Sequence, residues 1–397
     1  MFSAKKILIG VTGGIAAYKI CEIIRELKRN HADVRVVITE AGTKFVTPLT
    51  LATLSENPIV TDMFDKAASN TTIHIEFARW ADVILICPAT ANTIARIANG
   101  FADNLLTTMV LATTSPVILC PAMNKEMYQN PMYQRNAERL KQAGHIFVES
   151  EVGELACGEY GWGRLADAPH IINALKKVLL GTKELAGKKM LVTASRTEEP
   201  LDPVRFITNY SSGKMGFAVA EAAALRGAEV TLISGPNSLT PFDGISYIEI
   251  QTSDQMAEAV ERVLPEQEIV VMAAAVADYK PVAYSAQKLK KNNFAASIEL
   301  ERTKDILKAI GSNKKDKFLV GFAVETERGI ESAQQKIREK NLDLIVLNNP
   351  LESGAGFRSD TNIVTIIDNS GNIEQLPQMS KSQVAAKIMD KIIKNFA

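Results

Sequence analysis

Two hydrophobic patterns alternate along the chain: short continuous apolar runs, and longer stretches in which apolar residues recur every three or four positions. The first run extends from Ile7 to Val11, and a second extends from Val34 to Ile38. Between them, apolar residues recur at helical spacing, at Ala17, Ile20, Ile23, Ile24 and Leu27. A buried strand, a helix and a second buried strand in this order predict a parallel βαβ unit.

Further apolar runs of strand length follow in both halves of the chain. In the first half they span 82–87, 116–120 and 145–149. After a polar stretch at 181–189 the alternation begins again, with strands predicted at 189–194, 229–234, 269–278, 318–326 and 342–349 and helices at 214–226 and 380–396. The pattern predicts the α/β class, with two tandem doubly wound, Rossmann-like domains at 1–180 and 190–397 and a linker at 181–189.

Composition and charge narrow the class of protein. The chain has 397 residues, of which 46% are hydrophobic, and its 45 Lys and Arg residues balance 45 Asp and Glu residues. Because there is no basic excess, nucleic acid is not an expected partner. No apolar run reaches the roughly eighteen residues of a membrane span. The start of the chain lacks the features of a signal peptide, so a cytoplasmic protein is expected.

The four cysteines do not form a metal-site pattern. Cys21, Cys87, Cys120 and Cys157 include no C-x-x-C pair, and the four histidines are scattered, so no zinc site is expected. Cys21 lies in a predicted helix, and Cys87 and Cys120 end predicted strands, where thiols behave as small apolar side chains. Cys157 differs because it lies in the glycine-rich segment 155–167, which has no apolar period and is interpreted as a loop.

Glycines and small polar residues follow the predicted strands of the first domain. Gly13 and Gly14 lie between the first strand and its helix, where the backbone can approach an anion. A tight turn without a ligand explains them equally well, because the GxGxxG fingerprint is absent. Polar residues also follow the strand at 82–87, namely Thr90, Asn92, Asn99, Asp103 and Asn104. Such folds bind cofactors at the carboxyl ends of their strands, so a binding site is expected here.

The first domain contains four motifs in a fixed order, "VTGGIAAYK", "PATANTIARIANGFADNLLT", "PAMNKEMY" and "LACGEYGWGR". With them it resembles the flavin-dependent cysteine decarboxylases, a flavodoxin-like family, and most of all those that act on phosphopantothenoylcysteine in coenzyme A synthesis. One departure is Tyr128, where the family motif usually has Trp. The resemblance implies a bound FMN and a set of residues that contact it, namely Gly13, Gly14, Ile15, Thr39, Thr90, Asn92, Asp103, Asn104 and Met123.

The same resemblance implies three catalytic residues. His74 matches the family's active-site histidine, a residue type suited to general-base work, although a histidine in such an apolar, strand-like stretch is more often structural. Asn124 matches the asparagine that holds the substrate carboxylate. Cys157 matches the thiol that supplies a proton as the product forms, and its loop is interpreted as a lid. Arg164 is expected either to hold a phosphate or to form a surface salt bridge.

The second domain contains another ordered set of motifs, "PVRFITNYSSGKMG", "AAAVADYKP", "QKLKK", "LERTKDIL", "GFAVET" and "KIREKN". It resembles the phosphopantothenate–cysteine ligases, which use CTP and Mg2+ and proceed through an acyl-cytidylate. The resemblance implies that Lys288 stabilises the transition state, that Asn209 acts with the acyl-cytidylate and that Asp278 coordinates the metal. The positions matched to CTP contacts are Ser212, Gly213, Ala273, Ala274, Ala275, Asp278, Lys288, Lys304, Asp305, Ile306, Leu307, Phe322, Lys336 and Lys340.

Residue chemistry alone leaves several of these positions open. The segment around Ser212 is not a Walker A motif, and a plain helix N-cap explains this serine, although the long loop before it favours a function. The basic run that begins at Lys288 is by itself typical of a solvated surface. The polar segment 285–294 is expected to be a flap that carries this lysine. Lys336 and Lys340 are one helical turn apart and are expected to share a face.

The two resemblances together cover almost the whole chain, in the order found in bacterial bifunctional enzymes of coenzyme A synthesis. They imply small-molecule substrates (phosphopantothenate, cysteine and CTP), no nucleic acid or membrane partner, and a homo-oligomer. The expected dodecamer combines trimers of the flavin domain, with FMN near a subunit contact, and dimers of the ligase domain.

Two other classes of protein fit the sequence less well. A nicotinamide oxidoreductase requires GxGxxG with an acidic residue about twenty residues further on, and the glycine spacing does not fit. A flavin-binding regulatory protein of the same fold remains an alternative. It is expected to lack His74 or Cys157, and both residues are present.

Overall fold

The computed structural model describes residues 1–63, 72–289, 297–325, 328–349 and 359–396. The chain forms two compact units, Met1–Gly181 and Thr182–Ala397. Each unit is built on a sheet of mainly parallel strands, which confirms the predicted α/β class and the two doubly wound domains. No helix in the described ranges is long and apolar enough to cross a membrane.

The first unit has a parallel sheet followed by a hairpin. Its strands are β1 (Lys6–Val11), β2 (Asp33–Ile38), β3 (Val83–Ala89), β4 (Val117–Pro121), β5 (Ile146–Phe147), β6 (Glu151–Glu154) and β7 (Tyr160–Arg164). The sheet order is β2-β1-β3-β4-β5. This is the flavodoxin-like order, and it opens a crevice where the direction of winding changes, between β1 and β3. Most of the strand predicted at 145–149 is loop, because β5 has only two residues.

Helices cover both faces of this sheet. They are α1 (Ile20–Arg29), α2 (Pro48–Ser55), α3 (Ile73–Trp80), α4 (Ala91–Ala98), α5 (Leu105–Ala112), α6 (Lys125–Gln129), α7 (Pro131–Gln142) and α8 (Ala168–Leu180). Successive residues of β1 enter different cores because side chains alternate along a strand. Ile7 and Ile9 pack in the core that includes α1 and α8, whereas Leu8 packs in the core of α3, α4, α5 and α7.

Two further local predictions in this unit were wrong. His74 lies on α3, not in a strand-like conformation, because Ile73 and Phe77 are buried on one face of a helix. The segment around Cys157 is not a simple loop, because β6 and β7 pair as an antiparallel hairpin and leave only 155–159 between them. The alternation of a strand is hidden there since glycines face each other, as in the pair Gly153 and Gly161.

The second unit has a larger mixed sheet and three short strand pairs. Its strands are β8 (Lys189–Ala194), β9 (Glu198–Pro200), β10 (Phe206–Thr208), β11 (Glu229–Ser234), β12 (Ser246–Glu249), β13 (Ile269–Met272), β14 (Tyr279–Pro281), β15 (Leu300–Arg302), β16 (Phe318–Val324), β17 (Leu344–Asn348), β18 (Thr361–Asn362), β19 (Val364–Asp368), β20 (Ile373–Gln375) and β21 (Met379–Ser380). The main sheet has the order β12-β11-β8-β13-β16-β17-β19-β20. Strands β12 to β17 of this order are parallel, and β19 and β20 are antiparallel additions at one edge.

The winding direction changes between β8 and β13, so a second crevice is expected at their carboxyl ends. The helices of this unit are α9 (Lys214–Leu225), α10 (Ser253–Val263), α11 (Ile306–Ser312), α12 (Gly329–Glu339) and α13 (Lys381–Ile393). Much of the polar stretch 181–189 packs on this unit. Leu185 is fully buried, and the N–H groups of Thr182 and Leu185 donate to the carbonyls of Leu225 and Arg226 at 2.7 and 2.8 Å.

Candidate functional site

The first unit contains a cleft of about 1580 Å³ beyond the carboxyl ends of β1, β2, β3 and β4. Small-molecule pockets are usually about 300–1000 Å³, so this cleft has room for a nucleotide-sized cofactor and a second small molecule. All the positions matched to FMN line it, namely Gly13, Gly14, Ile15, Thr39, Thr90, Asn92, Asp103, Asn104 and Met123. Asn124, Cys157 and Arg164 line the same cleft.

The turn after β1 lies directly against the segment that follows β2. A Cβ atom at Gly13 would lie only 2.4 Å from the Cβ of Ala41, so the close approach requires glycine. Thr12 joins this turn to the end of β3, since its hydroxyl donates to the Pro88 carbonyl at 2.6 Å and accepts the Thr90 N–H at 3.2 Å. The floor of the cleft is therefore held at the crevice between β1 and β3.

Gly13→Ala is expected to destabilise the first unit and to weaken flavin binding, because the added methyl group overlaps Ala41. Overpacking of this kind costs about 1–3 kcal/mol of unfolding free energy. Thermal unfolding and a flavin fluorescence titration measure the two effects. Gly14→Ala is the matched control for the loss of stability, since the atom nearest to its added Cβ is the Thr90 methyl carbon at 3.5 Å. Equal losses of unfolding free energy in both variants would contradict the steric explanation.

Two helix N-termini border the cleft, and both are capped by residues matched to FMN. The Thr90 hydroxyl accepts the Thr93 N–H at 3.3 Å, and the side-chain oxygen Oδ1 of Asn104 accepts the Thr107 N–H at 3.1 Å. The positive ends of α4 and α5 favour an anion such as a phosphate. The glycine turn, the amide of Asn92 and the apolar side chain of Met123 also line the cleft. Together with the two helix N-termini, these groups fit a flavin mononucleotide.

Asn124 and Cys157 meet at this cleft. Asn124 begins α6, and its side-chain oxygen accepts the Glu126 N–H at 2.8 Å. Its Nδ2 lies 3.7 Å from Cys157 Sγ and donates to Glu159 Oε2 at 2.9 Å. The Cys157 thiol donates to the same carboxylate oxygen at 3.6 Å. The sequence analysis did not identify Glu159, although its position two residues after Cys157 in the quoted motif could have indicated it.

The hairpin crosses the start of α6 closely enough to require glycine. Gly163 has a left-handed backbone with φ of 116°, and its carbonyl accepts the Met123 N–H at 3.0 Å. A Cβ atom at this position would lie 2.2 Å from the Met123 carbonyl oxygen. The glycines of this segment therefore bring Cys157 and Asn124 together as well as allowing a turn.

Two further residues of this region have roles that the structure defines. Tyr128 lies where the motif usually has Trp. Its hydroxyl donates to Glu149 at 3.0 Å, and its ring stacks on Trp162 with centroids 6.2 Å apart. Burial and the nearby Glu149 carboxylate raise the pKa of Tyr128, although Ser150 opposes the shift. Arg164, expected to hold a phosphate or to form a salt bridge, pairs with Glu151 at 3.2 Å and with Asp167 at 2.5 Å and also lines the cleft.

His74 is not brought to this cleft within one unit. It is half-buried near the start of α3, which packs against α5, and it does not line the cleft that holds Asn124 and Cys157. The other three cysteines are also outside it: Cys87 and Cys120 are fully buried in strands, and Cys21 is half-buried in α1.

In the second unit, several residues matched to the ligase lie at the carboxyl ends of β8 and β13. Asn209 Nδ2 donates to the carbonyls of Ala275 and Val276 at 3.3 and 3.2 Å. The Ala275 N–H donates to the Ser195 carbonyl at 2.8 Å. The N-cap of α9 is Gly213, with φ of 79°, and not Ser212. A Cβ at Gly213 would lie 3.2 Å from that of Ser195, so this glycine lets α9 begin close to β8.

Other CTP-matched positions contribute to the core. Ile306 is buried, and Leu307 and Phe322 pack partly buried against the two cores of this unit. Ala273 and Ala274 follow β13 and donate their N–H groups to the carbonyl and hydroxyl of Thr193, both at 3.2 Å. These alanines therefore fix the backbone beside the crevice.

Lysine–carboxylate pairs join the remaining positions. Lys340 lies 2.9 Å from Asp305, Lys336 lies 2.6 Å from Glu325, and Lys304 pairs with Glu261. Burial works to raise the pKa of Asp305, but the Lys308 N–H and the Lys340 ammonium more than offset it, and the pKa lies below its usual value. The Lys336 ammonium lowers the pKa of Glu325. Glu325 is another residue that the sequence analysis missed, although it lies in the quoted motif "GFAVET".

Asp278 and Lys288 are both exposed. Among the described residues there is no group of three or more His, Cys, Asp or Glu side chains that could hold a metal. A single carboxylate at Asp278 suits a magnesium ion that takes its other ligands from nucleotide phosphates and water. Of the flap expected at 285–294, residues 290–294 lie outside the described ranges.

Comparison with known families agrees with the division into two units. The Flavoprotein family matches residues 1–180, and the family described as DNA/pantothenate metabolism flavoprotein C-terminal domain matches residues 185–396. The two matches together cover nearly the whole chain.

Individual proteins are similar over all or part of the chain. The coenzyme A biosynthesis bifunctional protein CoaBC of Bacillus subtilis (strain 168) is 45% identical over 395 residues, which covers 99% of this chain and 97% of that protein. A cysteine/cysteine sulfinic acid decarboxylase from an unknown prokaryotic organism is 45% identical over 354 residues, 88% of this chain and 99% of that protein. The crystal structure of the C-terminal domain of a CoaBC protein is 40% identical, with a TM-score of 0.47, and the match covers 54% of this chain and 98% of that one.

Proposed function

This chain belongs to the CoaBC family of bifunctional coenzyme A biosynthesis proteins, and we propose that it catalyses both reactions of that family. The second unit ligates phosphopantothenate to cysteine with CTP. The first unit decarboxylates the resulting phosphopantothenoylcysteine to phosphopantetheine with FMN. The observation that supports the decarboxylation most directly is the contact of Asn124 with Cys157 in the cleft that the glycine turn also lines.

In the first unit, the bound flavin supplies the redox chemistry that makes the cysteine end of the substrate lose CO2 readily. Asn124 donates its amide hydrogens to the substrate carboxylate. Because the amide is neutral, no unpaired buried charge remains when CO2 leaves. The Cys157 thiol donates the proton that completes the product. The segment 155–159 covers the substrate and excludes water from these steps.

We assign His74 to the cleft of a neighbouring copy of the chain, where it acts as a general base. This assignment is supported by its place on α3, away from the lining of its own cleft. It requires an oligomer, in agreement with the expected trimer of flavin domains. For the complete assembly we propose a dodecamer, in which dimers of ligase domains join the trimers of flavin domains.

The proposed substrates are soluble metabolites, which agrees with the expected cytoplasmic location of the protein.

In the second unit, we assign Lys288 to neutralise the charge that develops on phosphate oxygens as the carboxylate attacks CTP. Asp278 holds the magnesium that accompanies the triphosphate. Asn209 lies against the carbonyls of Ala275 and Val276 and contacts the acyl-cytidylate from there. Lys304, Lys336 and Lys340, each of which pairs with a carboxylate in the structure, contact the nucleotide.

Glu159→Gln is expected to lower the KM for phosphopantothenoylcysteine about fivefold. In the structure the Glu159 carboxylate accepts from Asn124 Nδ2, the donor assigned to the substrate carboxylate, so the two anions compete. Replacing a charged acceptor by a neutral one removes about 1 kcal/mol of that competition. Initial rates of CO2 release at varied substrate concentration measure the KM.

Glu154→Gln is the matched control for this prediction. Glu154 lines the same cleft and is exposed on β6, but we do not propose that it competes with the substrate for Asn124. An unchanged or higher KM in Glu159→Gln, or the same decrease in both variants, would show that Glu159 does not compete with the substrate.

A visible absorption spectrum followed by anaerobic turnover tests the proposed function. A flavin band, with release of pyrophosphate, CMP and CO2 after addition of phosphopantothenate, cysteine, CTP and Mg2+, is the expected result. A flavin band without CMP would remove the ligase assignment alone. No flavin after FMN is supplied would remove the assignment of the first unit. Rapid CO2 release from free cysteine without CTP would instead indicate the activity named for the cysteine decarboxylase relative.

A further inference from the structure

Asp202 has an unusually complete set of hydrogen bonds for a loop carboxylate. Its side chain is fully buried, in the loop between β9 and β10. One oxygen, Oδ1, accepts the N–H groups of Val204 and Arg205 at 2.8 and 2.9 Å. The other, Oδ2, accepts from the Arg205 guanidinium at 2.6 and 3.0 Å and from the Leu289 N–H at 3.2 Å. A buried carboxylate requires such compensation because desolvation is costly.

These bonds connect two segments that are far apart in the sequence. Arg205 Nη2 also donates to the Leu289 carbonyl at 3.0 Å, so both backbone groups of Leu289 are held by the same pair of side chains. A second connection lies nearby, since the Ser285 N–H donates to the Leu201 carbonyl at 3.0 Å. The segment 285–289 is therefore attached at both ends to the β9–β10 loop.

The attachment to Leu289 exceeds what the loop itself needs. The turn after Asp202 is closed by Oδ1, and the hairpin by the pairing of Phe206 with Pro200. Neither requires a residue from 285–289. The bond from Leu289 fixes the backbone directly beside Lys288, which is exposed.

We propose that Asp202 is a positioning residue for the ligase reaction, which fixes the point from which the Lys288 side chain extends. This proposal rests on the function proposed above. The β10 strand that leaves the same loop ends at Thr208, and Asn209 follows it, in contact with Ala275 and Val276. Asp202 thus couples the backbone of the lysine segment to the hairpin that carries the asparagine. Misplacement of a catalytic group by about 1 Å is enough to slow a reaction about 100-fold.

Asp202→Asn in the full-length protein tests this role. The asparagine oxygen can still accept the N–H groups of Val204 and Arg205, but its NH2 group cannot accept from Leu289 or from the guanidinium. We expect kcat for CTP-dependent pyrophosphate release to fall about 10- to 100-fold, with KM for CTP changed less than about threefold. Decarboxylation of supplied phosphopantothenoylcysteine by the first unit should be unchanged, and the nearly unchanged KM for CTP reports that the second unit is folded.

A double-mutant cycle with Lys288→Gln separates positioning from a general structural effect. If Asp202 acts through Lys288, adding Asp202→Asn to the Lys288→Gln variant should lower the residual rate less than twofold. Asp390→Asn is the control, because Asp390, on α13, forms another carboxylate–arginine pair of this unit, with Arg226 at 2.6 Å. It should leave pyrophosphate release unchanged.

Three results would overturn the proposal. The first is a kcat of Asp202→Asn within threefold of the wild type, and the second is a rise in the KM for CTP as large as the fall in kcat. The third is a fall in the rate of the double variant equal to the product of the falls in the two single variants. If Asp202→Asn does not fold, Arg205→Lys, which keeps a positive charge beside Asp202 but loses the planar fork that also donates to the Leu289 carbonyl, must give the same selective loss of kcat. Wild-type protein that releases no pyrophosphate from CTP would instead reject the proposed function.

Discussion

Cys157→Ser is expected to retain FMN and to release CO2 but to stop forming phosphopantetheine. A serine hydroxyl is a far weaker acid than a thiol, so the last proton transfer loses its donor. General acid catalysis contributes about 10²–10⁴ in rate, and the formation of reduced product should fall by that order. An oxidised enethiol product should accumulate in its place. Flavin absorbance, CO2 release and chromatography of the products measure the three outcomes separately.

The control for this prediction is Cys21→Ser, since Cys21 lies on α1 and does not line the cleft. It should give normal phosphopantetheine output. The KM for phosphopantothenoylcysteine tests the contact of Cys157 with Asn124. Because the serine oxygen can replace the sulfur as the polar neighbour of the Asn124 amide, the KM of Cys157→Ser should be nearly unchanged. Normal phosphopantetheine output from Cys157→Ser would exclude the thiol as the proton donor.

Lys288→Gln is expected to abolish most of the ligase activity and to leave decarboxylation intact. Glutamine is polar and only one atom shorter than lysine, but it has no charge to offset the negative phosphate oxygens in the transition state. Removing one preorganised electrostatic contact of this type costs about 10²–10³ in kcat. Pyrophosphate release with CTP, phosphopantothenate and Mg2+ measures the first activity, and CO2 release from supplied phosphopantothenoylcysteine measures the second.

Lys387→Gln, on the exposed side of α13, is the matched control and should change neither activity. The two reactions are assigned to separate units of the chain, so the effects must also be separate. A parallel loss of both activities in Lys288→Gln would contradict that assignment, and an unchanged rate of pyrophosphate release would exclude the proposed role of the lysine.

The strands of both units could be predicted from the sequence wherever they are buried on both sides. The apolar runs at 189–194 and 229–234 have the same limits as β8 and β11. Such strands read as continuous apolar runs because helices cover both faces of a parallel sheet. The pattern is less clear in glycine-rich or partly exposed segments. It therefore missed the β6–β7 hairpin and did not identify α3, which carries His74.

The sequence by itself determined the α/β class, the two units, and the motifs from which the family and its chemistry were inferred. These depend on local periodicity and residue type, which neighbouring positions along the chain report directly. Only the tertiary structure decided which side chains meet: Glu159 with Asn124 and Cys157, and Asp202 with Leu289, 87 positions away. It also decided that His74 does not line the cleft of its own unit. Hydrogen bonds between distant segments depend on how the strands are ordered and packed, and no spacing along the chain encodes them.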